Sequence, residues 1–244
     1  VSRAATTLFL PCRAGSERVP DKNTRPFAGY PGGLLGLKLE QLERVRDGLL
    51  TDVVLDSNDP RVLELGEAKR RTWGGSAALT VRERPDHLGR SSTTTDALIA
   101  YALDTLPCEV LAWTHVTSPL FSARSYERAF DAFHARDSER HDSLMTVTPL
   151  HGFVWDEGGP LNYPRGPLRW PRTQDLRPLY EVNSALFIVP RAVGLASGDR
   201  IGDRPMLHAT GKVESADIDW PDDFTAAEAL YRAFAARDPR EESS

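Results

Sequence analysis

The run Pro11-Cys12-Arg13-Ala14-Gly15-Ser16-Glu17-Arg18-Val19-Pro20-Asp21-Lys22-Asn23 decides how this sequence is read. It follows directly on the apolar stretch 6–11, which reads as a buried strand. In open parallel sheets, ligands bind beyond the carboxyl ends of the strands, so a basic loop here stands at the expected place. Gly15 lets the backbone approach an anion closely, and successive N–H groups in such a loop can cradle its oxygens. Arg13 offers a planar fork of donors and Lys22 a compact point charge. A charge run of this kind is otherwise a solvated turn. The Gly-Ser between the cations, and the strand before them, favour anion binding. Neither the G-x-x-x-x-G-K-[S/T] pattern nor G-x-G-x-x-G is present, so the loop is neither a Walker loop nor a dinucleotide turn.

Outward from this loop, strand-like and helix-like runs alternate. Leu34, Leu35, Leu39, Leu42 and Val45 recur at helical spacing, with Glu40, Glu43 and Arg44 on the other side. A strand at 52–55 ends in the turn Asp56-Ser57-Asn58-Asp59-Pro60, and a helix follows at 61–72. The pairs 77–81 with 94–106, and 109–114 with 122–135, repeat the order, and 143–149 is a further strand. The hydroxyl run Ser91-Ser92-Thr93-Thr94-Thr95-Asp96 most simply caps a helix. Such alternation predicts an α/β fold, a mainly parallel sheet flanked by helices on both faces.

The rhythm stops at 151–180, which is rich in Pro, Gly, Arg and aromatic residues and has no helical period. A structureless loop of that length is unusual inside a domain, so a small extended dimerisation arm is expected there. A strand at 185–189, a last strand at 212–219 and a helix at 223–235 complete the expectation. The predicted organisation is a core of 1–150 and 184–235, an arm at 151–183, and a frayed tail at 236–244.

With 244 residues, 40% hydrophobic and 27% charged, the chain suits one large domain that buries its core without staples. Cys12 and Cys108 form neither a disulfide framework nor a metal-ligand pair, which fits a reducing cytoplasm. The net charge of −5 argues against nonspecific nucleic-acid binding, and no apolar run is long enough to span a membrane. The start, 1–10, reads as a first core strand and not as a signal peptide. The cations that would hold an anionic substrate are instead gathered in the loop at 11–23.

Several short motifs in a shared order resemble those of the acylneuraminate (CMP-sialic acid) cytidylyltransferase family. The loop at 11–23 is similar to that family's Pro-Ala-Arg-x-Gly-Ser-Lys…Lys-Asn run. Arg25-Pro26-Phe27-Ala28-Gly29, the turn at 56–60, Arg84-Pro85-Asp86-His87-Leu88 and Thr117-Ser118-Pro119-Leu120 follow in the family's order. Arg172-Thr173-Gln174-Asp175, with Tyr180 and Asn183, resembles the stretch that meets the sugar acid, and Asp217-Ile218-Asp219 resembles the family's Asp-Ile-Asp. The resemblance implies a Rossmann-like nucleotidyltransferase that uses CTP and Mg²⁺, acts on an acidic sugar and forms a homodimer. It implies that Arg13, Ala14, Gly15, Ser16, Arg18, Lys22, Asn23, Arg84 and Ser91 bind the nucleotide. It implies that His115, Thr117, Ser118, Arg172, Gln174, Tyr180 and Asn183 meet the acceptor.

The acids also carry a physical reading. On a strand, residues two apart share a face, so Asp217 and Asp219 would converge, and hard carboxylate oxygens suit Mg²⁺. A strand end leading into a helix capped by Asp222 or Asp223 would look similar. In the implied reaction, Arg13 and Lys22 stabilise charge on the departing pyrophosphate, and Asp219 accepts the acceptor's hydroxyl proton. Glu17 stands where the family has a lysine, His115-Val116 replaces Gln-Pro, Asn183-Ser184 replaces Asn-Gly, and Asn58 replaces aspartate. A different acid as acceptor, such as an octulosonate or a phosphonate, or an inactive homologue used for assembly, are the alternatives. Like His115, His87, His151 and His208 show no metal spacing. Trp155, Tyr163, Trp170 and Tyr180 read as packing or interface.

Overall fold

The computed structural model describes residues 4–166 and 168–235. The expected alternation is present as β1 (Thr6–Cys12), α1 (Gly33–Glu43), β2 (Asp52–Ser57), α2 (Pro60–Arg71), β3 (Ala78–Glu83), α3 (Thr95–Thr105), β4 (Val110–Thr114) and α4 (Ala123–Ala135). There follow β5 (Ser143–Leu150), the short β6 (Trp155–Asp156) and β7 (Gly159–Pro160), then β8 (Leu179–Pro190), α5 (Arg191–Ser197), β9 (Pro205–Ala209) and α6 (Pro221–Ala235). The tail expected at 236–244 lies outside the described residues.

One seven-stranded sheet runs in the order β3-β2-β1-β4-β8-β5-β9. β1 pairs in parallel with both β2 and β4, β2 with β3, and β5 with β9, while β8 runs antiparallel between β4 and β5. The fold is Rossmann-like, a mainly parallel sheet with helices on both faces. Alternation along β1 explains the two layers: Leu8 and Leu10 pack with Leu34, Leu35 and Leu39 of α1, while Phe9 packs with Trp113, Phe187 and Ile99 of α3 on the other face. Each such large apolar side chain contributes about 1.5–3 kcal/mol on burial. The caps follow the sequence: the side chains of Asp59, Thr94 and Ser122 accept hydrogen bonds from the first turns of α2, α3 and α4.

Two expectations are corrected. The stretch 212–219 is not a strand: it turns at Gly211, where Ser215 N donates to Gly211 O at 2.9 Å, and continues as irregular chain. The last strand is β9, which pairs in parallel with β5 at the sheet edge. The strand expected at 185–189 is longer and reaches back to Leu179, so β5 and β8 project beyond the core as a ribbon. The segment 151–178 caps that ribbon with the β6–β7 hairpin and one 3-10 turn at Thr173–Asp175. Its rings gather: Phe153 lies edge-on to Tyr163 and to Trp170, both at 5.1 Å between centroids. Phe153, Trp155, Leu161, Leu168 and Trp170 are nonetheless exposed.

Candidate active site

β1 has β2 on one side and β4 on the other, and the chain reaches them in opposite directions across the sheet, so the crevice at their carboxyl ends is a topological switch point. The loop after β1 and the loop after β4 both open there. The first is held from below: Asn58 Oδ1 accepts from Ala14 N at 3.0 Å, Asn58 Nδ2 donates to Gly89 O at 3.4 Å, and Asn23 Nδ2 donates to Arg13 O at 3.1 Å. Gly15 has φ of 71°, a left-handed conformation that a side chain would strain. Asn23 and Asn58 thus shape the loop through their amide groups.

A cavity of about 250 Å³ lies over this crevice, lined among others by Arg13, Ser16, Arg18, Lys22, His115, Thr117 and Asp219, with Glu17 at its wall. A second, of about 240 Å³, is lined by Arg13, Arg84, Arg90, Leu98 and His115. Arg13 and His115 line both, so the two spaces meet at the β1–β4 junction. Ser91 is exposed and stands outside both linings, to which its neighbours Arg90 and Thr93 contribute instead.

Of the C-terminal acids, Asp219 lines the first cavity and Asp217 lines neither, and the strand that was expected to bring them to one face is absent. Ile218 N donates to Thr117 O at 3.0 Å, and the Ile218 side chain is fully buried. The bond clips the irregular chain 217–219 across the end of β4, with a carboxylate on each side of the anchor. Lys22 Nζ donates to Ile218 O at 2.8 Å and lies 4.0 Å from Asp219 Oδ1, while Arg18 Nη1 lies 3.4 Å from the same oxygen. Burial lowers the Lys22 pKa, and the charges of Asp219 and Asp217 oppose that shift. Burial raises the Asp217 pKa, against a hydrogen bond from the Thr117 side chain. Asp217 Oδ1 is buried with no hydrogen-bond partner among the described residues. A hard cation such as Mg²⁺ would satisfy that oxygen of Asp217, while Asp219 is paired with Arg18 and Lys22. Among the described residues no set of three or more His, Cys, Asp or Glu is placed to hold a metal, so further ligands would come from phosphate or water.

Several residues here escaped the reading of the sequence. Asp56 is fully buried and ion-pairs with both Arg84 and Arg82, and Tyr101 donates to it at 3.3 Å. Arg84 therefore enters its cavity sharing a single carboxylate with Arg82, its charge only partly offset. The sequence does carry a signal for this, an acid closing an apolar strand opposite a strand with two arginines. Lys38, buried on α1, donates to Ser118 O at 2.9 Å and Phe121 O at 3.3 Å, and Gln41 Nε2 donates to Pro119 O at 2.7 Å. These two side chains, set in an otherwise apolar helix face, fix the Thr117–Pro119 turn. Arg200, in the loop after α5, reaches His115 Nε2 at 3.3 Å.

The acceptor residues divide. His115 and Thr117 line the cavity, with Ser118 buried beside them. Arg172 lies on the excursion 151–178, paired with Asp175 at 2.8 and 3.1 Å, and Gln174 and Tyr180 are exposed there. None of these three lines either cavity. Asn183 is buried, and its Nδ2 donates to Thr210 Oγ1 at 2.7 Å and Thr148 Oγ1 at 3.2 Å. Its amide hydrogens tie β8 to β5 and to the chain after β9.

Over 226 residues, 88% of its length, the chain is 26% identical to an N-acylneuraminate cytidylyltransferase of Streptococcus agalactiae. This chain is similar to the N-acylneuraminate cytidylyltransferases. A pseudaminic acid cytidylyltransferase of Campylobacter jejuni is 27% identical over 130 residues, 51% of each protein. The chain spans about half, 51%, of the length of these curated relatives. No family model matches it. In fold, it superposes on a CMP:2-keto-3-deoxy-manno-octonic acid synthetase complexed with CTP with a TM-score of 0.60 at 18% identity, covering 94% of this chain and 99% of that one. A 4-diphosphocytidyl-2C-methyl-D-erythritol synthase from Anaerococcus prevotii gives a TM-score of 0.64 at 13% identity, covering 94% and 96%. Arg13, Ser16, Arg18 and Lys22 converge on one cavity with Asp219, whereas Arg172, Gln174 and Tyr180 lie apart from it on the ribbon.

Proposed function

We propose that this chain is a Mg²⁺-dependent cytidylyltransferase that transfers CMP from CTP to a hydroxyl of an acidic, nonulosonate-like sugar, releasing pyrophosphate. The observation that carries the reading is the convergence of Arg13, Ser16, Arg18, Lys22 and Asp219 on one cavity at the switch point. Similarity to N-acylneuraminate cytidylyltransferases along 88% of the chain supports the same class.

In this reading the loop 13–18 receives the triphosphate, with the left-handed Gly15 allowing the backbone close approach. Arg13, Arg18 and Lys22 balance charge on the departing pyrophosphate. The acceptor oxygen attacks the α-phosphorus in line, a P–O bond to it forms, and the bond to the pyrophosphate oxygen breaks. Asp219 takes the hydroxyl proton. Asp217 and Asp219 would hold Mg²⁺, which when bound supplies charge neutralisation across the phosphates. Glu17 sits in the same cavity wall, while the carboxylate that Arg18 pairs with is that of Asp219.

The exposed rings and leucines of 151–178 support a homodimer formed through that ribbon, because a contiguous apolar patch of this kind marks an interface. Arg172, Gln174 and Tyr180 would then serve an acceptor pocket across the interface. Two free cysteines suit a reducing, cytoplasmic setting.

Pyrophosphate release from CTP, screened over a panel of nonulosonic, octulosonic and phosphonic acids, tests the proposal. Release with none of them would identify an inactive homologue. CTP with Mg²⁺ should raise the melting temperature more than ATP or GTP does, and equal shifts would remove the cytosine preference.

A further inference from the structure

His115 stands at the carboxyl end of β4, where the two cavities meet. Among the described residues its Nε2 has two polar neighbours, Trp113 Nε1 at 3.0 Å and Arg200 Nη1 at 3.3 Å. An indole N–H can only donate, and a guanidinium has no lone pair to offer. Both neighbours therefore demand that Nε2 be the lone-pair nitrogen. A neutral ring then carries its proton on Nδ1.

Arg200 is held in place for this role. Its guanidinium carbon lies 3.8 Å from the ring centre of Phe187 and 5.4 Å from that of Trp113, so it packs on the same aromatic layer that supports His115. The pKa of Arg200 is lowered by burial, with Asp199 the opposing charge. The surroundings of His115 also keep it neutral. Burial is the larger cause, and the charges of Arg200, Lys22 and Lys38 act in the same direction.

We infer that Arg200, together with Trp113, is a positioning residue that fixes His115 as a neutral Nδ1–H tautomer, making it a hydrogen-bond donor to a lone-pair atom of the bound substrates. A freely rotating imidazole can accept from a hydroxyl or donate to a carbonyl. This one is committed to donation, and so selects an oxygen or ring nitrogen with a lone pair over an N–H or an O–H that has no other orientation. The base edge of the nucleotide and the carboxylate of the acceptor both supply such an atom. The kinetic part of the inference rests on the cytidylyl-transfer reading; the tautomer does not.

Long-range ¹H–¹⁵N correlation on the ¹⁵N-histidine-labelled protein tests it, with His115→Gln assigning the signal. The expected wild-type spectrum shows an unprotonated Nε2 and a protonated Nδ1, and the Nδ1 proton shifts when substrate binds. A protonated Nε2 would overturn the inference. In the double variant Trp113→Phe, Arg200→Met the ring is expected to populate both tautomers, and a single retained Nδ1–H form there would overturn the positioning role. Arg200→Lys, which keeps a donor and the apolar stem, is expected to retain the wild-type tautomer. If the double variant does not fold, the wild-type spectrum still decides the tautomer.

In steady state, His115→Leu should raise one KM about tenfold, the size of one lost hydrogen bond. His115→Gln, which keeps an N–H donor, should restore most of it. A rise confined to CTP assigns the lone pair to the nucleotide, and a rise confined to the acid assigns it to the acceptor. No change in either KM would overturn the donor role. Absence of transfer in a wild type that shows the Nδ1–H tautomer would count against the proposed function and leave this inference standing.

Discussion

Lys22 Nζ donates to the carbonyl oxygen of Ile218 at 2.8 Å, joining residues separated by 196 positions in the chain. The bond holds the ammonium group 4.0 Å from the Asp219 carboxylate, and the charges of Asp219 and Asp217 both act on it. One lysine thus closes the loop after β1 onto the chain that carries the acids. Lys22→Met should lower kcat/KM by about 100-fold, the size of losing one charge-stabilising donor. The unpaired Ile218 carbonyl should cost about 1 kcal/mol in urea unfolding. Activity near wild type would remove Lys22 from the phosphate site.

Asp219 has a different balance of structure and chemistry. Its side chain is 56% exposed and its ion pairs with Arg18 and Lys22 are solvated, so it adds little to stability. Asp219→Asn should leave the melting temperature within a degree or two, about the spread of surface substitutions. Turnover should fall by about 100-fold or more. A loss of less than about tenfold would refute the metal or base role.

Ser184 holds φ at 59° in β8, where the strand bulges and its register with β5 shifts between Met145 and Val147. A side chain in this left-handed region costs about 1 kcal/mol that glycine does not incur. Ser184→Gly should therefore stabilise the protein by about 1 kcal/mol, or about 2–4 °C in Tm. An unchanged or lower Tm would show that the hydroxyl contributes more than the strain removes.

The pH dependence of stability carries the signature of His115. Burial first, and then the charges of Arg200, Lys22 and Lys38, push its pKa down to about 3 from 6.5. Between those values the unfolded chain binds a proton that the fold refuses, so stability falls as pH drops below the unfolded value. His208, lowered by burial, acts in the same sense, while Asp217, raised by burial, acts in the opposite one near its ordinary value. On lowering the pH from about 7.5 to about 5, wild type should lose about 2 kcal/mol more than His115→Gln does. Parallel curves for the two proteins would show that the imidazole takes up its proton as readily in the fold as in the unfolded chain.

Deleting 153–169 and joining the ends with a short Gly-Ser linker removes the aromatic cluster, including the exposed Phe153, Trp155 and Leu161. The β5–β8 pairing that supports the ribbon stays, so the remainder should fold. Light scattering should report a dimer before the deletion and a monomer after it. CTP binding should persist and use of the acceptor should fall. An intact protein that is monomeric at micromolar concentration refutes the dimer, and a dimer that survives the deletion refutes the ribbon as its cause.

The order of strands and helices as far as β5 was legible because its signals are local. Apolar runs such as 6–11, a helical stripe such as Leu34 to Val45, and caps such as Asp59 and Thr94 act within a few residues. The loop after β1 was legible for the same reason, since its cations, Gly15 and the preceding strand are contiguous. After β8 the local signal weakens. β9 is a five-residue edge strand with no strong alternation, whereas Val213 and Ile218 lent 212–219 a strand-like look. What stops that strand is the turn at Gly211 and the clip of Ile218 onto Thr117, a contact no local pattern encodes.

By itself, then, the sequence determined an α/β chain with a basic loop on its first strand and two acids near its end. Only the tertiary structure decided how these meet. The bonds from Lys22 to Ile218, Lys38 to Ser118 and Arg200 to His115 join residues 196, 80 and 85 positions apart. Each partner taken alone is an ordinary lysine, arginine or histidine. Packing brings them out of water, where a donor must find its acceptor or bear the cost of desolvation, and that requirement selects the geometry of the site.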